Sequence, residues 1–195
     1  MNAGVDGRTK PALRRQLLAA RAALPAAELT RRAGALGDIA AGVPLLARAA
    51  CVATYASVGA EPGTGPLLEG LRAAGVRILL PILGPGRSLD WALDEGPERL
   101  QPGPFGLLQP VGPRLGPDAI NSAEVVLVPA LAVDQAGHRL GRGAGYYDRA
   151  LTLLSATTSV LALVYDEEVL DAVPVESHDR PVGGAVTPVR WWPLG

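Results

Sequence analysis

The stretch Leu140-Gly141-Arg142-Gly143-Ala144-Gly145-Tyr146-Tyr147-Asp148-Arg149 constrains this chain more than any other. It follows an apolar run, Val125 to Val133, and opens a second apolar-periodic segment, Tyr146 to Leu154. That order reads as strand, glycine loop, helix. Three alternating glycines leave few side chains, so backbone N–H groups can face a ligand. The first-turn N–H groups of a helix lack partners and sit at the positive end of its dipole, which favours an anion. Arg142 adds a full charge in a forked geometry suited to phosphate. Asp148 falls in the first helical turn, where a carboxylate is favoured and where it can hold magnesium beside a phosphate. The loop is not a P-loop, since no Gly-Lys-Ser/Thr follows, and its strict Gly-x-Gly-x-Gly spacing is not the dinucleotide fingerprint. A plain glycine-rich turn with a solvated arginine stays open at this point.

The chain has 195 residues, the length of one domain, and we expect a single domain over 1–195. With 48% hydrophobic and 19% charged residues it can bury a sizeable core. A net charge of −1 offers no global field for nucleic acid or an anionic membrane, and no basic stripe carries interleaved aromatics. Cys51 is the single cysteine, set mid-strand between apolar neighbours. It reads as a buried inert thiol in a reducing compartment. Basic residues interrupt any signal-peptide core near the N-terminus, and no segment approaches the roughly 18 apolar residues of a membrane helix. The expectation is a cytoplasmic protein, without nucleic-acid or membrane partners, acting as a monomer. Lys10 is the only lysine among 18 basic residues, so a compact ammonium at that place draws notice.

Residues 1–7 read as a disordered leader. Thr9 and Pro11 then mark a helix start, and Leu13, Leu17, Leu18 and Leu24 fall near helical spacing over about 10–23. Lys10 and Arg14 share one face of it. A second helix is expected over 26–41. Strands are expected at 50–56, 76–81, 88–93, 125–129, 158–164 and 185–187. Helices are expected at 66–74, 145–154 and 166–171. Residues 95–118, rich in Pro and Gly, read as a long irregular loop. The alternation predicts an α/β fold, a mostly parallel sheet with helices on both faces, whose ligands lie at the C-terminal ends of strands. Glu61, the segment Asp134 to Asp148, and His178-Asp179 all fall at such ends.

These blocks together resemble the 5-formyltetrahydrofolate cyclo-ligase family. The resemblance runs from Lys10 to Thr187. It is carried by Lys10, Arg14 and Arg21, by Tyr55, Ser57, Glu61 and Thr64, by Leu80-Pro81 and Phe105-Gly106, and by Val128 through Arg149. His178-Asp179 and Val186-Thr187 complete it. It implies a fold similar to ribose-phosphate isomerases and CoA-transferases. It also implies ATP- and magnesium-dependent closure of 5-formyltetrahydrofolate to 5,10-methenyltetrahydrofolate, with release of ADP and phosphate.

By this resemblance Lys10, Arg142 and Tyr147 are the catalytic residues. Lys10, Arg14, Gly141, Arg142, Gly143, Ala144, Gly145, Tyr146 and Asp148 bind ATP. Tyr55, Glu61, Gly143, Gly145, Tyr146 and Tyr147 line the folate site, and Asp148 and Asp179 hold Mg2+. Ala144, Gln109 and Gly183 depart from the family's usual residues. The alternative is a non-catalytic folate- or nucleotide-binding paralogue. A sugar-phosphate isomerase on the same fold class would need a general base, for which only Glu61 and Asp134 offer themselves.

Overall fold

A computed structural model describes residues 9–176 and 179–194; the leader 1–7 and His178 lie outside them. Helices α1 (Lys10–Ala22), α2 (Ala26–Ala41) and α3 (Pro44–Arg48) precede strand β1 (Cys51–Ala53). Helix α4 (Gly65–Ala73) crosses to β2 (Arg77–Leu83), and β3 (Leu89–Leu93) returns beside it. Two hairpins flank the next long strand: β4 (Leu100–Pro102) with β5 (Leu108–Pro110), then β6 (Val125–Pro129), then β7 (Ala132–Asp134) with β8 (Arg139–Leu140). The chain closes with α5 (Tyr146–Ala150), β9 (Ser159–Leu163), β10 (Val169–Leu170), β11 (Gly184–Val186) and β12 (Trp191–Pro193).

The main sheet has the order β12-β11-β9-β6-β1-β2-β3. Its five inner strands are parallel, and the edge strands β3 and β12 are antiparallel to their neighbours. Parallel strands bury both faces, which is why Val125–Val128 is continuously apolar rather than alternating. Val52, Leu127, Leu163 and Val186 point to one face and meet α2, α3 and α4 through Leu36, Val43, Leu46 and Leu67. Cys51, Ala53, Val126, Val128 and Ala162 point to the other, under Trp91, Ile120, Ala150 and Leu151. Cys51 is buried, as its neighbours implied.

Helix α1 starts where Thr9 and Pro11 place it, with the Thr9 hydroxyl accepting from the Ala12 N–H at 3.4 Å. It packs away from the main sheet. Leu13 and Leu17 meet Leu131, Ala132 and Leu140 of the β7–β8 hairpin in a third cluster. Its buried stripe is Leu13, Leu17 and Arg21, while Leu18 is exposed, so the expected stripe was shifted by an arginine.

Five expectations are corrected. Residues 166–171, expected as a helix, are a 3-10 turn, Asp166–Glu168, followed by strand β10. The run 125–133 is two strands, because the chain turns at Pro129–Leu131 and re-enters a separate three-stranded sheet, β10-β7-β8. The glycine loop therefore leaves a small hairpin, not the central sheet. The helix expected over 145–154 is a five-residue α5 followed by a 3-10 turn, Leu151–Leu153, so its dipole is short. Residues 95–118 form 3-10 turns and the β4–β5 hairpin. Finally, β12 lies beyond the last strand read from the sequence.

Candidate active site

The first piece is the loop after β1. The Ser57 N–H donates to Thr64 Oγ1 and the Thr64 N–H to Ser57 Oγ, both at 2.9 Å. Thr64 Oγ1 also donates to the Tyr55 carbonyl at 2.8 Å. Inside this loop Glu61 Oε2 accepts from the Val58 N–H at 3.0 Å. These bonds satisfy a polar loop at the sheet edge and hold a buried carboxylate, 7% exposed, in one direction. Its Oε1 lies 3.0 Å from the Arg142 guanidinium.

The second piece is the glycine loop. Gly143 has φ +93° and Gly145 φ +74°, backbone that favours glycine. A Cβ on Gly143 would also stand 3.2 Å from Arg14 Cζ, so a side chain there would displace the Arg14 guanidinium by a few tenths of an ångström. Among the described residues, no N–H group from Gly141 to Gly145 donates to a protein acceptor. They are available to an anion, with Arg142 exposed beside them. Ala144 is exposed in the same loop, and Tyr146 is half-buried against the core under α5.

The third piece is α1. Arg14 Nε donates to the Gly141 carbonyl at 2.8 Å. One helical turn earlier, Lys10 Nζ reaches Asp179 at 2.7 Å and Glu176 at 3.1 Å. Lys10 is therefore no solvated surface lysine: its side chain is 10% exposed. A single face of α1 thus sets two cations against the glycine loop and the C-terminal segment, across 127 and 169 residues of chain.

Two phenols complete the site. The Tyr55 and Tyr147 hydroxyls are enclosed and make no hydrogen bond among the described residues. Burial pushes both ionisations up, and the Glu61 charge adds to this; Arg139 opposes it at Tyr147. Both phenols stay neutral donors.

Asp148 pairs with Arg139, whose guanidinium also donates to the Arg180 carbonyl. Arg139 thereby ties α5 to the segment holding Asp179. Asp148 and Asp179 each have a cation, Arg139 and Lys10. Among the described residues no group of three metal-ligating side chains occurs. A magnesium ion, however, needs only one or two carboxylates when phosphate oxygens and water complete its shell. On those terms Asp148 and Asp179 are each of the right donor type, one carboxylate apiece beside the glycine loop's helix and the Lys10 ammonium.

Asp134 does not belong to the site. Its carboxylate accepts from the Ala136, His138 and Val173 N–H groups at 2.9–3.0 Å and faces His138 Nδ1 at 3.0 Å. It closes the β7–β8 turn and offers no free base. The isomerase reading loses that candidate. Gln109, in β5, is buried against Gly103, and Gly183 sits in the sheet ladder between Val160 and Leu194.

Sequence reasoning quoted Arg139 within the glycine-loop motif without giving it a role, and passed over Tyr165 and Glu168. Glu168 is buried and bridged by Arg21, with Nε to Oε1 and Nη2 to Oε2 both at 2.7 Å. An arginine in register with Leu13 and Leu17 was the available signal, since a buried arginine requires a partner.

A sequence model of the 5-formyltetrahydrofolate cyclo-ligase family matches residues 6–188. The chain belongs to this family. It is 42% identical to the 5-formyltetrahydrofolate cyclo-ligase of Mycolicibacterium smegmatis, over 94% of this chain and 95% of that one. It is 31% identical to the Escherichia coli K12 enzyme of the same name, over 76% and 84%. The structure of 5,10-methenyltetrahydrofolate synthetase from Aquifex aeolicus superposes with a TM-score of 0.80 at 28% identity, covering 95% of this chain and 92% of that one. The Mycoplasma pneumoniae synthetase shares the fold, with a TM-score of 0.73 at 20% identity over 93% and 99%. The cyclo-ligase relation, an enzyme of folate chemistry, and the α/β fold with a mostly parallel sheet therefore stand together.

Proposed function

We propose that this cyclo-ligase closes 5-formyltetrahydrofolate to 5,10-methenyltetrahydrofolate at the expense of ATP, in the presence of magnesium. The observation that carries the reading is the Arg14–Gly141 bond, because it seats the cationic face of α1 on the glycine loop. Lys10, Arg14, Arg142 and the loop N–H groups then converge on one anion of high charge.

A formamide oxygen is a poor leaving group. Transfer of the γ-phosphoryl to that oxygen forms an O–P bond, breaks the bond to ADP, and turns the oxygen into phosphate. Nitrogen-10 then attacks the formyl carbon, the C–O bond breaks, phosphate departs and the nitrogen loses its proton. This chain's residues bind and align. Lys10, Arg14 and Arg142 neutralise the transferring group, and the loop N–H groups hold it in line. Glu61 accepts from the N–H donors of the pterin edge. Tyr147 and Tyr55 offer neutral hydroxyl donors to the folate's polar groups, and the glycines at 143 and 145 leave room for it. Asp148 and Asp179 are the residues that would hold magnesium, which supplies charge neutralisation between the phosphates. Gly141, Ala144 and Tyr146 line the nucleotide side. We further propose a single-domain, cytoplasmic monomer; among the described residues no helix is long and apolar enough to cross a membrane.

The test is the appearance of the methenyltetrahydrofolate absorbance band on mixing protein, 5-formyltetrahydrofolate, ATP and magnesium. A rise that requires both ATP and magnesium supports the reading. Binding of the folate without any rise would point instead to a non-catalytic relative.

A further inference from the structure

Glu61 is held by more than its own loop. Tyr165, which follows β9 by two residues, is 1% exposed. Its hydroxyl donates back to the Glu61 carbonyl at 3.2 Å, with the Ala60 carbonyl at 3.4 Å. Two guanidinium groups lie over the ring, Arg21 at 5.4 Å and Arg32 at 4.8 Å from its centroid. Its own N–H donates to Glu168 Oε2 at 2.8 Å, the oxygen that Arg21 also holds. Arg21 reaches on to the Ala130 carbonyl at 2.6 Å. Tyr165 is thereby held at its ring by two cations and at its backbone by Glu168, and burial keeps its proton in place. A side chain so constrained delivers one directed bond, and that bond lands on the residue whose carboxylate faces Arg142.

We propose that Tyr165 is a positioning residue for folate binding, setting the direction of the Glu61 carboxylate through its hydrogen bond to the Ala60–Glu61 backbone. The proposal rests on the reading of Glu61 as a folate ligand. Tyr165 touches neither ATP nor folate in this scheme; it acts through Glu61. The fold gives it a second consequence. Arg21 belongs to α1, the helix that carries Lys10 and Arg14, so one buried network references the nucleotide clamp and the folate loop to the same tyrosine.

The discriminating experiment is steady-state kinetics on Tyr165→Phe, Glu61→Gln and the double variant, with thermal unfolding of each. Tyr165→Phe removes one hydroxyl and keeps the ring that the Arg21 and Arg32 guanidiniums contact. The expected result is a rise of about three- to tenfold in the folate KM, the effect of one neutral hydrogen bond. The ATP KM stays near the parent's, and the melting temperature falls by no more than the few degrees that one lost hydrogen bond costs. Glu61→Gln raises the folate KM further, and the double variant adds little to it, because both changes act through one carboxylate. An unchanged folate KM in Tyr165→Phe, beside a raised one in Glu61→Gln, overturns the positioning role alone. Additive effects in the double variant, or equal rises in both KM values with a lowered melting temperature, overturn it as well. An unchanged folate KM in Glu61→Gln removes the reading of Glu61, and the proposal falls with it.

Discussion

The Arg142 guanidinium and the Glu61 carboxylate meet at 3.0 Å, so on the proposed roles the phosphate-binding and folate-binding groups occupy each other. Arg142 is half-exposed while Glu61 is 7% exposed, so the arginine is the partner free to leave. On the proposed roles, a folate donor that takes Glu61 should release Arg142 to phosphate, and a phosphate that takes Arg142 should uncover Glu61. Coupling of this kind is reciprocal. A non-hydrolysable ATP analogue should tighten folate binding by a few-fold in calorimetry, and folate should tighten the analogue equally. The effect should vanish in Glu61→Gln.

Lys10→Ala should raise the ATP KM by about tenfold or more and the folate KM by less than twofold. The magnitude follows from a charge-assisted bond of about 1.5–3 kcal/mol. Initial rates over a grid of both substrates measure it. Equal rises would show that Lys10, held by Asp179 and Glu176, serves the packing of α1 and not phosphate.

Asp148→Asn should shift the magnesium requirement upward and lower turnover at saturating folate. Removing the charge also leaves Arg139 without its carboxylate, so stability should be followed in parallel. Full activity at the parent's magnesium concentration would take Asp148 out of the metal site.

Tyr147→Phe separates stability from function. The hydroxyl is enclosed without a hydrogen bond among the described residues, so its removal should leave stability unchanged or raise it by at most about 2 kcal/mol. Folate binding should weaken at the same time. Denaturant midpoints and the folate KM test the two halves; a loss of stability without a change in KM would assign the hydroxyl to the fold.

Arg21→Ala should cost about 3–5 kcal/mol at neutral pH, because it strands a buried carboxylate. Burial already pushes the Glu168 carboxyl up, with Arg21 pulling it back. Without Arg21 the folded-state value rises further above the unfolded one near 4.5. A carboxyl raised on folding favours the fold most at low pH and loses that contribution as pH climbs through its folded value. The deficit of Arg21→Ala against the parent should therefore be largest above neutrality and shrink toward pH 5. Chemical denaturation at pH 5 and pH 8 gives the comparison.

Helix α1 and strand β6 were legible because each carries a local signal: Thr9 and Pro11 at the helix start, and a continuous apolar run bounded by Pro129. The glycine positions at 143 and 145 were legible too, since alternating glycines imply backbone that side chains oppose. The turn inside 125–133 was hidden, because Ala130–Val133 is as apolar as the strand before it and changes sheets without changing composition. The hairpin within 95–118 was hidden by prolines, which a two-stranded edge tolerates where a central strand does not. Tyr165 drew no reading from the sequence, since nothing local tells where its hydroxyl ends.

The sequence by itself determined which chemical groups this protein possesses: a lone lysine, a glycine loop with its arginine, a glutamate after the first strand, and two phenols. Periodicity and turn chemistry also set the elements that carry them, because those forces act over a few residues. Only the tertiary structure decided who meets whom. Arg14 on Gly141, Lys10 on Asp179, Arg142 on Glu61 and Tyr165 on the Glu61 backbone each join residues 80 or more positions apart. Such pairings arise where loops following strands of the parallel sheet meet α1 and the β7–β8 hairpin packed against it, and no local preference encodes that arrangement.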